Sequence, residues 1–170
     1  DISHTIFSQN KFDQLDLDFC KGKLTNNKFI NYSLDKENNS GGDGIDVSGS
    51  NLVISMNTIE KLSDKGISVG EKSKVILQEN TFIENDIAIA IKDGSIVYNL
   101  DNTYTNNNLE ISMYIKKFIF KKPILYLDSS TKSETNKKRK YKIVKGNIIF
   151  IDKIINSKFY KDFVNEIDSS

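Results

Sequence analysis

The sequence contains very few of the residues that build disulfides, thiolate metal sites and acid–base centres. It has one cysteine, one proline, one histidine and no tryptophan, and its only arginine is Arg139. A single cysteine excludes an intramolecular disulfide and a metal site made from thiolates alone. We expect Cys20 to be a small buried apolar side chain, and His4, near the start of the chain, to have a plain turn role.

Excess charge and long apolar runs are lacking as well. The 24 basic and 23 acidic residues leave a net charge of +1, so no general attraction to nucleic acid or to an anionic membrane is expected, and a partner must be argued locally. No apolar run approaches the roughly 20 residues of a membrane span. No signal-like segment opens the chain, and the first residues already lie inside a repeat. That start is consistent with a part of a larger chain or assembly.

What the sequence does contain is a repeat. With 38% hydrophobic and 28% charged residues, the 170 residues have enough apolar surface for one domain with a core. Apolar positions recur at intervals of 22 or 23 residues, with one interval of 30. The first column of equivalent positions is Phe7, Phe29, Ile59, Phe82 and Tyr104; the second is Ile2, Leu24, Ile54, Leu77 and Asn99; the third is Leu15, Ile45, Ile67, Ile89 and Ile111; the fourth is Leu17, Val47, Val69, Ile91 and Met113.

Apolar pairs two residues apart, such as Ile45 and Val47, are typical of short strands with one buried face. One coil of such strands cannot bury its inner face, whereas stacked coils form a continuous core. The pattern therefore predicts an all-β fold, a right-handed parallel β-helix of about five to six coils over residues 1–127. We assign the extra residues of the 30-residue interval to a loop, Leu34 to Gly41.

A polar column accompanies the apolar ones. Asn27, Asn57, Asn80 and Asn102 each lie two residues before the first apolar column, with Thr5 in the first coil. Stacked carboxamides can hydrogen-bond to the coils above and below. This column resembles the asparagine ladder of the pectin-lyase-like β-helices, and the resemblance covers about residues 1–127.

Residues 128–170 are predicted to form a capping region. Tyr126 suggests a partial sixth coil that includes Ile119 and Ile124, and Pro123 marks an edge or turn. The polar segment Asp128 to Lys140 contains the basic run 137–140, which we interpret as a solvated loop. Tyr141 to Val144 and Asn147 to Ile151 are predicted to pair as a hairpin around Lys145 and Gly146.

A last helix is predicted after the hairpin, with Ser157 as its cap. Its apolar residues recur at helical spacing, and we expect that face to cover the open end of the stack. These residues are Phe159, Tyr160, Phe163, Val164 and Ile167.

Aspartates are the candidate functional residues. The repeat places Asp16 and Asp46 in one outward column, roughly one strand spacing apart. Two neighbouring carboxylates repel, so a bound cation, hydrogen bonds, a lysine or a raised pKa should relieve the pair. Together with Asp43 they form a possible calcium site, since hard carboxylate oxygens suit that ion. A solubilising acidic face with turn-capping aspartates is the alternative.

The strings Gly42-Asp43-Gly44-Ile45-Asp46 and Asp64-Lys65-Gly66 look like catalytic segments of polygalacturonase-type pectin hydrolases. That resemblance implies that Asp43 and Asp64 are catalytic, and we add Asp46 as a third candidate. Lys65 occupies the place of the second paired carboxylate, and no Gly-His-Gly or Arg-Ile-Lys segment follows. An inverting hydrolase needs both an acid and a base, and no arginine in the coils supports a lyase or epimerase.

Two hypotheses follow. The first is a non-catalytic β-helical scaffold or carbohydrate- or surface-binding module of a bacterial extracytoplasmic protein, located outside the cell or in its envelope. The pattern also resembles, more faintly, β-helical regions of larger bacterial envelope proteins. The second is a polysaccharide-active enzyme, a glycoside hydrolase or a lyase or epimerase, that uses the aspartates. No other cofactor is expected.

Overall fold

The chain forms three parallel β-sheets that wind around one core. The computed structural model describes residues 1–31, 41–134, 140–153 and 157–169. Sheet A consists, in spatial order, of β1 (Ile2–Ser3), β4 (Lys21–Thr25), β7 (Asn51–Ser55), β10 (Lys74–Gln78), β13 (Ile96–Leu100), β16 (Ile124–Asp128) and β19 (Asn147–Ile151).

Sheet B consists of β2 (Ile6–Ser8), β5 (Lys28–Ile30), β8 (Thr58–Glu60), β11 (Thr81–Ile83), β14 (Thr103–Thr105) and β17 (Lys132–Glu134). Sheet C consists of β3 (Leu15–Asp18), β6 (Ile45–Ser48), β9 (Lys65–Gly70), β12 (Ile87–Lys92), β15 (Leu109–Tyr114) and β18 (Tyr141–Ile143). Each coil contributes one strand to each sheet, and a helix, α1 (Lys158–Asp168), follows the last coil. The predicted parallel β-helix is confirmed.

The strand registers confirm all four apolar columns. Phe7 pairs with Phe29, Phe29 with Ile59, and the column continues through Phe82 to Tyr104. The rings of Phe7 and Phe29 stack at 4.7 Å between centroids, and those of Phe82 and Tyr104 at 5.1 Å. The remaining three columns run through sheets A and C in the predicted order. The core is thus made of like side chains stacked on like.

A polar residue in one apolar column has a specific partner. Asn99 is fully buried at the place of a leucine or isoleucine. Its side-chain oxygen accepts hydrogen bonds from the Tyr104 hydroxyl, at 2.7 Å, and from the Asn102 amide, at 2.8 Å. The buried phenol and the buried carboxamide therefore satisfy each other, as burial of polar groups requires.

The asparagine ladder runs along the bend between sheets A and B. The side-chain amides of Asn27, Asn57 and Asn80 each donate to the side-chain oxygen of the next ladder residue at 3.0 to 3.1 Å, ending at Asn102. The backbone amides of the same three residues donate to the same oxygens at 2.8 to 3.0 Å. The predicted ladder is confirmed, and it satisfies backbone groups that the bend turns inward.

The residue before each ladder position has a left-handed backbone. These residues are His4, Asn26, Met56, Glu79 and Asp101, with φ between 49° and 57°. His4 thus lies in a turn, as predicted. A left-handed residue bends the chain between the strands of sheets A and B, and the backbone amide of the following residue donates to the ladder.

The other two bends carry ladders that the sequence analysis missed. Between sheets B and C, the Asn85 amide donates to the Asn107 oxygen at 2.9 Å. Between sheets C and A, the backbone amide of Cys20 donates to the Ser50 hydroxyl at 2.8 Å, and that of Ser50 to the Ser73 hydroxyl at 3.0 Å. Cys20 is half-buried rather than buried, and it occupies the first position of this serine column.

The C-terminal strands differ from the predicted hairpin. β18 pairs in parallel with β15, and β19 pairs in parallel with β16. The two segments therefore do not pair with each other but extend sheets C and A by one more coil, so the stack continues to Ile151. Lys145 and Gly146 form a bend between two strands of one coil. The bend is as short as a hairpin loop, and the sequence pattern therefore resembled a hairpin.

The register of the sixth coil also differs from the prediction. Tyr126 pairs with Tyr98 in sheet A, where the two rings stack on the outer side at 4.9 Å, and Tyr104 pairs with Ser133. A second insertion, residues 115–123, shifts the period, and Ile119 lies exposed within it rather than in a coil. The predicted loop Leu34 to Gly41 and the basic run 137–140 lie outside the described residues except for Gly41 and Lys140.

The helix α1 packs on the outer face of sheet A and not over the end of the stack. Phe163 and Ile167 are buried against Ile76, Tyr98 and Leu100. Several outward positions of sheet A, among them Ile76, Tyr98 and Leu100, are apolar, and the helix covers them. No helix in the described ranges is long and apolar enough to cross a membrane.

The ladder should contribute measurably to stability. We expect Asn80→Ala to lower the free energy of unfolding by roughly 1 to 3 kcal/mol, because the substitution leaves the buried Asn57 amides without an acceptor. Urea denaturation followed by circular dichroism measures the change, and the exposed Asn147→Ala provides the control. Equal stabilities of the two variants would contradict the role of the ladder.

Candidate functional site

The outer face of sheet C gathers the predicted aspartates. Asp16 pairs with Asp46, and Asp46 pairs with Ser68, so these three side chains form one outward column. The adjacency of Asp16 and Asp46 agrees with the prediction. Burial, followed by the negative charges of Asp18, Asp46 and Asp13, raises the pKa of Asp16. The repulsion between stacked carboxylates is therefore present in the folded chain.

Asp43 and Asp64 are brought together by a lysine. The Lys65 ammonium lies 2.9 Å from a carboxylate oxygen of Asp43 and 2.5 Å from one of Asp64. Asp43 is buried, at 6% exposure, and its backbone amide donates to the carboxylate of Asp13. The repeat explains the contact, since Asp43 and Lys65 are equivalent residues of neighbouring coils, 22 positions apart.

Burial and the neighbouring charges have opposite effects on the pKa values of Asp43 and Lys65. Burial raises the pKa of Asp43 to about 6, although the positive charge and hydrogen bond of Lys65 work against that rise. Burial alone would lower the pKa of the Lys65 ammonium, but the carboxylates of Asp43 and Asp64 outweigh burial and raise it. Lys65 therefore stays charged, and it holds the two carboxylates that the hydrolase resemblance assigned to catalysis.

A second lysine covers Asp46. The Lys92 ammonium lies 3.7 Å from a carboxylate oxygen of Asp46, and Lys92 is 7% exposed. Its stem crosses Gly70, where an added Cβ would come within 2.8 Å of the lysine Cε. Gly70 therefore provides the space that lets Lys92 lie flat on the sheet and reach two coils down.

Two oxygens at the centre of the face make no hydrogen bond to the described part of the chain. They are Oδ1 of Asp46 and Oγ of Ser68, both of them buried atoms. Since Asp46 and Ser68 pair across neighbouring strands, the two oxygens lie on adjacent rungs of one column. Buried polar oxygens without partners are uncommon in folded proteins. Oδ1 of Asp46 still has the Lys92 ammonium at 3.7 Å, which is an ion pair beyond hydrogen-bond distance, so this column is only partly satisfied.

Tyr114, the last residue of β15, belongs to the same face. Burial raises the pKa of its phenol, the positive charge of Lys65 opposes the rise, and the carboxylates of Asp43 and Asp64 add to it. The phenol thus lies within electrostatic range of the Lys65 cluster. The face combines carboxylates, ammonium groups, a hydroxyl and an aromatic ring.

Three of these residues were missed as site residues by the sequence analysis. Lys92 is the single polar residue of β12, whereas Ser68 and Tyr114 lie in strands that also contain other polar residues. Their signal was the register: each lies 22 residues from a residue of the same outward column, Lys92 from Gly70, Tyr114 from Lys92, and Ser68 from Asp46.

The predicted calcium site receives no support from the arrangement. The Lys65 ammonium forms an ion pair with the Asp43 carboxylate, and the Lys92 ammonium lies beside the Asp46 carboxylate. Over the described residues, no group of three or more His, Cys, Asp and Glu side chains is placed to hold a metal ion. Calcium binding by Asp16, Asp43 and Asp46 stays a prediction from the sequence.

Comparison with known proteins identifies the class. Residues 1–138 match the family described as the right-handed beta helix region. Because the match covers most of the chain, the chain belongs to this family, and the handedness agrees with the prediction. No curated protein and no solved structure matches the chain significantly.

Asp43 should make stability depend on pH in a defined direction. Its pKa is about 6 in the folded chain against an ordinary value of 3.8, so between these pH values the folded state binds more protons than the unfolded state. The contribution of Asp43 to the free energy of unfolding is therefore highest below about pH 4, and it falls by up to roughly 3 kcal/mol as the pH rises through 6.

We expect Asp43→Asn to remove this dependence. The unfolding free energy of the wild type relative to the variant should rise by roughly 2 to 3 kcal/mol between pH 7 and pH 4, measured by urea denaturation at each pH. The exposed Asp101→Asn is the charge-matched control. A wild-type-to-variant difference that is the same at both pH values would contradict the raised pKa.

Proposed function

We propose that the chain is a non-catalytic glycan-binding module whose binding surface is the outer face of sheet C. The observation that carries the proposal is Asp46, a carboxylate that is 25% exposed and whose buried Oδ1 has the Lys92 ammonium at 3.7 Å but makes no hydrogen bond within the described residues. Sugar hydroxyls donate and accept at once, so one ligand type can satisfy a carboxylate, a hydroxyl and an ammonium together.

The charge of the face supports a neutral or weakly charged ligand. The carboxylates of Asp43, Asp46 and Asp64 outnumber the ammonium groups of Lys65 and Lys92 by one. A polyanion would meet more carboxylates than lysines, and Asp16 adds a further negative charge in the next coil. A polymer rich in hydroxyl groups fits this balance better.

Aromatic residues frame the first coil of the face. Phe12 and Phe19 stand shortly before and directly after β3, and they are 70% and 80% exposed. Flat apolar rings beside a row of polar groups suit a sugar ring, which has an apolar side and a hydroxyl rim. The stack repeats about every 4.8 Å along its axis, so an extended chain can lie along it.

The enzymatic alternative has one observation in its favour. A carboxyl with a pKa of about 6, such as Asp43, suits a general acid. The ion pairs argue against it, because hydrolysis needs a second carboxylate free to act as base or nucleophile. Asp64 shares Lys65 with Asp43, and Asp46 lies beside Lys92.

Binding should depend on Asp46 and not on exposed acids elsewhere. In calorimetric screening against neutral and uronate-containing polysaccharides, we expect a neutral glycan to bind and Asp46→Asn to weaken that binding about tenfold or more, because a hydrogen bond to a charged carboxylate is stronger than one to a neutral carboxamide. Asp101→Asn, on a bend away from sheet C, should bind like the wild type.

The outcomes separate the alternatives. Equal affinities of Asp46→Asn and Asp101→Asn, or the absence of any glycan binding, would contradict the proposal. New reducing ends or unsaturated uronates that disappear in Asp43→Asn would establish the enzyme. An extracytoplasmic, envelope-associated scaffold in bacteria is part of the proposal and is tested separately by cell fractionation.

A further inference from the structure

The insertion at residues 115–123 presents an unusual turn. The backbone amide of Phe120 donates to the Lys117 carbonyl at 3.0 Å, which places Phe118 and Ile119 at the two central positions. These two are 88% and 86% exposed, more than the other large apolar side chains of the described residues. Central turn positions normally hold Gly, Pro, Asn, Asp or Ser.

Lysines flank this tip on both sides. The segment reads Lys116, Lys117, Phe118, Ile119, Phe120, Lys121, Lys122. The Lys145 ammonium lies 5.9 Å from the centre of the Phe118 ring, and Lys72 lies 5.7 Å from that of Phe120. The chain as a whole has a net charge of only +1, so the positive charge around this turn is a local cluster and not a general property of the surface.

The base of the turn is held in place. One carboxylate oxygen of Asp93 accepts hydrogen bonds from the backbone amides of Lys116 and Lys117, at 2.7 and 2.8 Å. The Lys117 ammonium forms an ion pair with Glu71. Asp93 and Glu71 are thus engaged at the base of the turn. Among the described residues, Lys116, Lys121 and Lys122 have no ion-pair partner and are exposed.

We propose that residues 116–122 are a membrane-docking turn that inserts Phe118 and Ile119 into the surface of an anionic bilayer. A shallow apolar tip gains by entering the headgroup boundary, and surrounding lysines gain by facing anionic headgroups. Single exposed apolar residues need no explanation. Two adjacent ones on a braced turn, ringed by lysines, match both parts of this chemistry. The inference does not rest on glycan binding.

Vesicle sedimentation tests the surface. Wild-type protein should bind vesicles of phosphatidylcholine with about 30% phosphatidylserine, and binding should weaken in high salt and on phosphatidylcholine alone. Phe118→Ser with Ile119→Ser should lower the partition coefficient about tenfold or more. Ile6→Ser, an exposed apolar residue of sheet B, is the matched control and should bind like the wild type.

The lysines have their own test. Lys121→Glu with Lys122→Glu should lower binding to the anionic vesicles about tenfold or more. The charge-matched control is Lys132→Glu with Lys158→Glu, exposed lysines of sheet B and α1. Circular dichroism of each variant shows that the stack is intact.

The absence of tryptophan allows a direct reading of depth. In Phe118→Trp the single indole should shift its emission to shorter wavelength on anionic vesicles and be quenched by brominated lipid, whereas Ile6→Trp should show neither effect. Absence of wild-type binding to both vesicles, or unchanged emission of Phe118→Trp, would overturn the proposal. A binding loss shared equally by the control variants would do the same.

Discussion

Direct stacking of each coil on the next is the constraint on which the structure depends. Parallel pairing places each strand residue beside its equivalent in the next coil, 22 or 23 positions away except across the two insertions, which lengthen the interval but leave the pairing in register. A side chain in a strand therefore lies beside its equivalents in the neighbouring coils. Inside, this produces columns of aliphatic and aromatic side chains, and at the bends it produces ladders in which one carboxamide or hydroxyl receives the amides of the coil below.

The same constraint creates a difficulty on the outside. Outward residues also stack on their equivalents, so a repeated aspartate brings carboxylates together, as for Asp16 and Asp46. The chain relieves this by changing charge in the following coils: Lys65 follows Asp43 in one column, and Lys92 crosses Gly70 to reach Asp46. Asp46, which this arrangement leaves without a hydrogen bond on Oδ1, is the residue on which the proposed glycan binding depends.

Period alone was sufficient for the fold of the first five coils. Four apolar columns and one asparagine column determined the register, because a shift of one residue would turn every apolar side chain outward. The aspartate pair followed from the same register. The prediction failed at the second insertion, residues 115–123: Tyr126 was aligned with Tyr104, although the insertion places it beside Tyr98. The last two strands then looked like a local hairpin, because their true partners lie more than 20 residues away.

Contacts made by long side chains were beyond the reach of the pattern. The register predicts which α-carbons are neighbours, but Lys92 acts two coils from its own position and α1 crosses several strands of sheet A. Such contacts depend on the direction of the side chain and on space, as at Gly70, which no period encodes. Insertions obey the opposite logic. Residues of an insertion, such as Phe118 and Ile119, do not stack on an equivalent residue in the next coil. Their side chains therefore need not match a neighbour, and they can contact a surface outside the solenoid.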